Sequence, residues 1–585
     1  MVLNSCDSGF GNRLAFRLNS MGFRVYACVL DTNSTGAQDL SNKCQFKDEI
    51  CIVRMDVTID EDIDWCHEFV VADLQTSGRV LWSVVNNAGV MTYGHLEWGR
   101  FSQYTKVFDV NVFGVVRVTR KFIPLIRESK GRLVFTTAQA GRVAYDNLGV
   151  YCMSKAAIIA FTDVLRREMR PFGVRVSTVE PLIFKTVMVG LGEHEISKNW
   201  SETDPPVREV YGQAYYERQI KIVNFLLLIT RPNKNLDIVA DDMVDAVASR
   251  RPNKYYTPVN RWWLNGYHRL LRITPQCFID YLFSCDSGFG NRLAFKLNSK
   301  GFRVYACVLD TESTGAQDLS NKCQFKDEIC IVRMDVTIDE DIDRCHEFVV
   351  ADLQTSGRVL WSVVNNAGVA TYGHLEWGKF SQYTKLFDVN VFGVVRVTRK
   401  FIPLIRQSKG RFVITASMGG RIAIDNLGIY CMTKSAIIAF SDVLRREMRP
   451  FGVRVSTVEP MLFKTAMYDI VKPELNKNWS QTEGQVREAY GQPYFEQQFK
   501  TVDFLLTIAM GSKKLDIVVD DMVAAIVSRR PNRCYQPANR WLYNVFPTLV
   551  YLAPQWTIDL IFSSVQTTKP SYVVQNANQI KHDNV

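Results

Sequence analysis

Tyr430 and Lys434 stand four residues apart in YCMTK, a spacing that sets both on one face of a helix. A tyrosine hydroxyl, ordinarily near pKa 10, becomes a usable general acid and base when an ammonium beside it stabilises the phenolate. Ser417, thirteen residues earlier at the end of a strand-like run, can donate a hydrogen bond to a substrate oxygen. Asn390, in FDVNVFG, would support a water that relays protons through Lys434. The same pattern occurs earlier as Asn111, Tyr151 and Lys155, but the position thirteen before that tyrosine is Ala138. Thr136 lies on the same strand face as Ala138 and Thr137 on the other, so neither replaces the missing hydroxyl. A tyrosine and lysine at this spacing also arise by chance, so the weight rests on what accompanies them.

A second group of residues suits a dinucleotide. Gly9 and Gly11 of DSGFGNRLA, and their counterparts Gly288 and Gly290, fall where a first strand should turn into a first helix. Glycine there lets the backbone approach a phosphate, and the helix start offers free N–H groups and a positive dipole end. The strand-like VYACVLD ends on Asp31, and in the second copy on Asp310, where a carboxylate can accept hydrogen bonds from an adenosine ribose. No arginine adjoins it to meet a 2′-phosphate, which favours NAD, with NADP as the alternative.

These groups recur because the chain repeats itself. CDSGFGNRLAF at Cys6 returns at Cys285, and the offset of 279 (285 minus 6) holds from Asp31 and Asp310 through Trp200 and Trp479. A period this long means whole domains rather than solenoid repeats. The expected division is residues 1–276, then 277–563, then a polar, Asn- and Gln-rich disordered tail over 564–585. Within each copy β-branched runs such as FRVYACVL, VLWSVVNNAG and VRVSTVEP alternate with amphipathic stretches such as DEDIDWCHEFVVADLQ. That rhythm predicts an α/β class, with two tandem Rossmann-type doubly wound parallel sheets.

Composition excludes other classes. Of 585 residues, 47% are hydrophobic and 22% charged, ample for two cores. The net charge of +10 is spread along the chain, so nucleic acid is not an expected partner. Fourteen cysteines lie mostly in apolar runs, as buried thiols of a reducing compartment do, and no ligand spacing predicts a metal.

Gly-rich turn, NNAG, DVNVFG, serine and the tyrosine–lysine pair occur in one order inside one βαβ array. Together with GRIAIDNLGIYCMTK and STVEPMLFKT, they make both copies resemble the short-chain dehydrogenases/reductases, in the branch of retinol, hydroxysteroid and hydroxybutyrate dehydrogenases. The resemblance implies hydride transfer between a nicotinamide and an alcohol carbon, with Tyr430 as acid/base and Ser417 on the oxyanion. Lys434 would bind the nicotinamide ribose and lower the tyrosine pKa. It further implies cofactor contacts from Ser8, Gly9, Gly11, Asp31, Asp56, Asn87, Gly89 and Thr186. Their counterparts are Ser287, Gly288, Gly290, Asp310, Asp335, Asn366, Gly368 and Thr465.

Departures matter as much. Ser5 and Ser284 stand where the family has a glycine, and Pro181-Leu182 and Pro460-Met461 where it has Pro-Gly. Only Met1 to Asn4 serve as a first strand in copy one, and CFIDYLF must serve in copy two. Either the cofactor site is weakened, or two adjacent coding units are imperfectly joined. The expectation is a slow or inactive copy one and turnover in copy two. The substrate would be a small lipophilic alcohol or ketone beneath an apolar helical lid bearing Trp479, Tyr490 and Phe504, which equally serve as plain core. Trp541 to Phe562, aromatic but broken by Pro547 and Pro554, reads as a peripheral membrane contact or a buried cap. The expected location is therefore the endoplasmic reticulum surface or the cytoplasm, with the copies forming an intramolecular pseudo-dimer or a homo-oligomer. A hydroxybutyrate-type enzyme and a catalytically lapsed cofactor- or lipid-binding protein are the rival readings.

Overall fold

The computed structural model describes residues 1–186, 190, 192–230, 232–258, 288–461, 463, 470–508, 515–537 and 570–571. The chain divides into two compact units, Met1–Arg272 with Pro570–Val585, and Ile273–Lys569. The boundary expected at 276 and the tail expected over 564–585 fall outside the described residues, Pro570 and Ser571 excepted.

Unit 1 is built on a seven-stranded parallel sheet: β1 (Val2–Leu3), β2 (Val25–Val29), β3 (Ile50–Arg54), β4 (Ser83–Asn86), β5 (Arg132–Thr136), β6 (Arg175–Val179) and β7 (Tyr255–Tyr256). Their spatial order is β3-β2-β1-β4-β5-β6-β7, so the chain winds out one way from β1, crosses back, and continues the other way from β4. That reversal is the doubly wound topology, and it opens a crevice at the carboxyl ends of β1 and β4. The crossovers near it are the helices α1 (Gly9–Ser20), α2 (Thr35–Lys43), α3 (Asp60–Ser77), α4 (Ser102–Phe108), α5 (Val115–Glu128) and α6 (Gly149–Met169). All five side chains of β2 are buried, as expected of a strand covered on both faces. α3 starts on three acids, Asp60, Glu61 and Asp62, which complement its dipole, and stops at Gly78 in the left-handed conformation.

The shortened first strand does not leave the sheet centre open. Val2 and Leu3 are fully buried, and they pair with Tyr26 and Ala27 on one side and Val84 and Val85 on the other. The chain then turns through Ser5 at φ 59°, a left-handed backbone that a glycine would adopt without cost.

Unit 2 repeats the pattern in two described pieces of parallel sheet. One pairs β8 (Val304–Val308) with β9 (Ile329–Arg333); the other runs β10 (Ser362–Asn365), β11 (Arg411–Thr415), β12 (Arg454–Val458) and β13 (Cys534–Tyr535). A single apolar core joins them, drawing on Val304 and Ala306, on Val413 and Val458, and on helices Gly288–Asn298 and Asp516–Val527. The segment expected as its first strand lies outside the described residues.

Candidate active site

In unit 2 the strand β11 ends at Thr415 and the backbone continues extended through Ser417, which caps a short turn over Met418–Gly420. The Gly419 N–H donates to Ser417 Oγ at 3.1 Å, and Met418 N–H donates to the Pro460 carbonyl at 3.2 Å. The turn is thereby tied to the strand end that follows β12, with Ser417 at the crevice. Helix Gly428–Met448 brings Tyr430 and Lys434 to the same place. Lys434 Nζ donates to the Thr415 carbonyl at 2.9 Å and lies 5.6 Å from the centre of the Tyr430 ring. Serine, tyrosine and lysine converge as their spacing requires.

The electrostatics differ in one respect from the expectation. Burial pushes Tyr430 up to about 12, and a hydrogen bond from Ser417 draws it back. Burial also pushes Lys434 down to about 8. The phenol therefore lies above its usual range, because burial penalises the phenolate.

In unit 1 the same frame is kept without the serine. Lys155 Nζ donates to the Thr136 carbonyl at 3.0 Å and sits 5.6 Å from the Tyr151 ring centre, and burial lowers it to about 8 as well. Thr136 donates to Asn87 Oδ1 at 3.1 Å and Thr137 to the Val179 carbonyl at 3.4 Å, so both hydroxyls are committed elsewhere. With Ala138 offering nothing, burial drives Tyr151 well above the usual phenol range.

Asn111 and Asn390 each sit in a π-helical turn, Asp109–Gly114 and Asp388–Gly393. Such single wide turns often mark functional sites. Asn390 accepts from Val369 N–H at 2.8 Å and donates to the Val369 carbonyl at 2.8 Å and to Thr433 Oγ1 at 3.0 Å. Asn111 repeats these bonds with Val90 and Ser154. Each asparagine clamps the loop after NNAG onto the helix that carries the tyrosine. A Cβ at Gly89 would stand 3.5 Å from Asn111 Oδ1 and Lys155 Nζ, and one at Gly368 equally close to Asn390 Oδ1 and Lys434 Nζ.

The cofactor end fits a dinucleotide. Helix α1 has no acid in its first turn, in contrast to α3, and its Ser8 side chain makes no capping bond, so the N–H groups there remain for a phosphate. Gly9 holds φ 65° and Gly288 φ 68°, while any Cβ at Gly11 would stand 2.2 Å from the Ser5 carbonyl oxygen. Gly290 is buried on the equivalent helix. Asp31 and Asp310 are exposed at the ends of β2 and β8. Asp56 and Asp335 each accept a local bond from the following threonine, at Thr58 and Thr337. Asn366 accepts from Thr415 Oγ1 at 3.0 Å, and Thr186 closes unit 1's run after β6. Ser287, Thr465 and Trp541 to Phe562 lie outside the described residues.

Three residues that organise this end carry little sequence signal. Asp7 accepts from Leu30 N–H at 3.1 Å and Ser34 Oγ at 3.2 Å, which fixes the loop bearing Asp31. Asn12 donates to the carbonyls of Cys6 and Gly36. Buried Asn4 accepts from the N–H groups of Asn87 and Ala88 at 2.6 and 2.7 Å, holding NNAG to β1. By the offset of 279 its counterpart is Phe283. A polar residue closing an apolar strand was the available clue.

The expected lid is helical: Val471–Gln481, Gly484–Tyr490 and Gln492–Ile508 follow β12. Trp479 and Tyr490 are buried in an aromatic cluster with Trp377 and His374, and so serve as its core. The Phe504 side chain is not among those described. No helix among the described residues is long and apolar enough to cross a membrane.

The sequence model of the short chain dehydrogenases matches residues 1–195 and again 282–476. A bovine 17-beta-hydroxysteroid dehydrogenase type 6 is 40% identical over 291 residues, covering 48% of this chain and 87% of the relative. Retinol dehydrogenase 16 of Rattus norvegicus is 38% identical over 291 residues, with the same coverage of 48% and 87%. Bovine mitochondrial D-beta-hydroxybutyrate dehydrogenase is 38% identical over 260 residues, 43% of this chain and 74% of the relative.

Proposed function

Because the chain belongs to the short-chain dehydrogenase family, we propose that it interconverts a lipophilic alcohol and its carbonyl, with unit 2 carrying the turnover. The observation that carries this is the complete Ser417, Tyr430 and Lys434 set of unit 2, with Lys434 anchored to the Thr415 carbonyl beside the Tyr430 ring, set against Ala138 in unit 1. A nicotinamide dinucleotide supplies hydride acceptance and donation, with α1 of unit 1 and helix Gly288–Asn298 of unit 2 as its phosphate ends. In the oxidising direction Tyr430 Oη takes the hydroxyl proton, Ser417 Oγ–H steadies the same oxygen, and Lys434 keeps a positive charge beside the phenolate. Asp31 and Asp310 favour NAD over NADP, since a 2′-phosphate would meet their negative charge.

A retinoid or steroid alcohol suits the apolar helical region after β12 and the two relatives that are named for such substrates. The third relative favours a small hydroxy acid as the second reading. The apolar run Trp541 to Phe562 supports contact with a membrane surface, and the repeat supports an internal pseudo-dimer. The test offers retinol, a 17-hydroxysteroid and 3-hydroxybutyrate to the full-length protein with NAD and with NADP, following reduced cofactor. Turnover of the first two with NAD is the expected result; turnover of 3-hydroxybutyrate alone would replace the lipid reading. Cofactor binding without turnover of any substrate would make the protein a lapsed binder.

A further inference from the structure

We propose that Met91 is a second block on the reaction pocket of unit 1, so that returning a serine to position 138 does not by itself return turnover. The inference rests on the reading of unit 2 as the active half and explains how unit 1 is shut.

Four residues of unit 1, Ala138, Ala140, Tyr151 and Cys152, form one buried apolar cluster, and the Met91 side chain packs against it. The tyrosine expected to act on substrate is thus a member of a small core. Tyr151 is 7% exposed and Ala138 6%, whereas Tyr430 and Ser417 in unit 2 are both half-buried. The offset pairs Met91 with Ala370, which ends at its Cβ. It also pairs Ala140 with Gly419, where an added Cβ would lie 3.6 Å from Cε1 of Tyr430; unit 1 carries that methyl. At these three positions, Ala138, Met91 and Ala140, unit 1 therefore adds apolar volume or removes a hydroxyl relative to unit 2. The clamp residues Asn111 and Lys155 are kept with their bonds intact. A substrate oxygen must reach Tyr151 through a site already filled, and overfilling such a site costs roughly ten- to hundredfold in binding. The outcome is a unit that keeps the residues expected to hold a cofactor and binds an alcohol poorly.

The test uses the full chain carrying Tyr430→Phe, so that only unit 1 can report. NADH formation with retinol and a 17-hydroxysteroid is measured after adding Ala138→Ser, Met91→Ala, or both, with NAD binding followed by calorimetry as the check on folding. Ala138→Ser alone is expected to give less than about a threefold gain, and the pair roughly a hundredfold. Conversely, Ala370→Met in the otherwise native chain is expected to lower kcat/KM about tenfold or more, mainly through KM, with NAD affinity unchanged. A full gain from Ala138→Ser alone overturns the role of Met91. So does no gain from the pair in a protein that still binds NAD, or an Ala370→Met chain with native kcat/KM. Full activity in the Tyr430→Phe chain before any further change refutes the reading of unit 2 and this inference with it.

Discussion

Replacing Ser417 with alanine gives unit 2 the residue that unit 1 carries at this position, Ala138. Two interactions are lost. One is the acceptor for Gly419 N–H, a capping bond whose removal costs about 1 kcal/mol of stability and leaves the fold populated. The other is the influence of its hydroxyl on Tyr430, which offsets part of the burial that pushes this phenol up to about 12. With substrate bound the single hydroxyl proton would turn to the substrate oxygen instead, and the loss of one such donor costs roughly a hundred- to thousandfold in rate, about 3–4 kcal/mol of barrier. The catalytic effect therefore dominates the structural one. The phenolate is the form that accepts the alcohol proton, and losing a donor to it raises its pKa. The alkaline rise of the oxidation rate should then move to higher pH. Initial rates of NADH formation across pH, beside a thermal melt, separate the effects. A Ser417→Ala protein whose kcat stays within about threefold of the parent, on an unmoved pH profile, would refute this role for the serine.

Other perturbations follow from particular contacts. Ser5→Gly removes a left-handed serine and should stabilise unit 1 by roughly 1 kcal/mol after allowing for the freer unfolded chain, read as a higher Tm. Asn4→Leu strands the N–H groups of Asn87 and Ala88 at about 1–3 kcal/mol each, and should weaken both the stability of unit 1 and its NAD affinity by calorimetry. His95 and His374 are held neutral by burial, each pushed down to about 3. The unfolded chain takes up protons first, so stability is full above about pH 6.5 and falls between there and pH 3. The slope is about 1.4 kcal/mol per pH unit for each histidine. Denaturant melts of His374→Gln should show a shallower acid dependence than the parent.

The order of strands and helices was readable because β-branched runs and amphipathic runs alternate without interruption, and covered parallel strands leave a strong apolar signature. The tyrosine–lysine pair was readable because helical spacing alone puts residues four apart on one face. What escaped were side chains whose work is to hold backbone. Asn4 and Asp7 act through bonds to N–H groups some 80 and 23 residues away, and nothing local in the sequence marks the partner. The behaviour of Ser5 escaped for the opposite reason: a serine where the family has a glycine suggested a weakened cofactor site, while its left-handed backbone, with φ 59°, is visible only in the fold. The tyrosine pKa was misjudged because charge pairing is visible in sequence and depth of burial is not.

Turnover through Tyr430 is tested most directly by comparing NADH formation from retinol or a 17-hydroxysteroid in two full-length variants, Tyr430→Phe and Tyr151→Phe. Loss of activity in the first with near-native activity in the second is the expected result. Activity that survives in Tyr430→Phe and disappears in Tyr151→Phe would contradict it, placing the chemistry in the unit that lacks the serine.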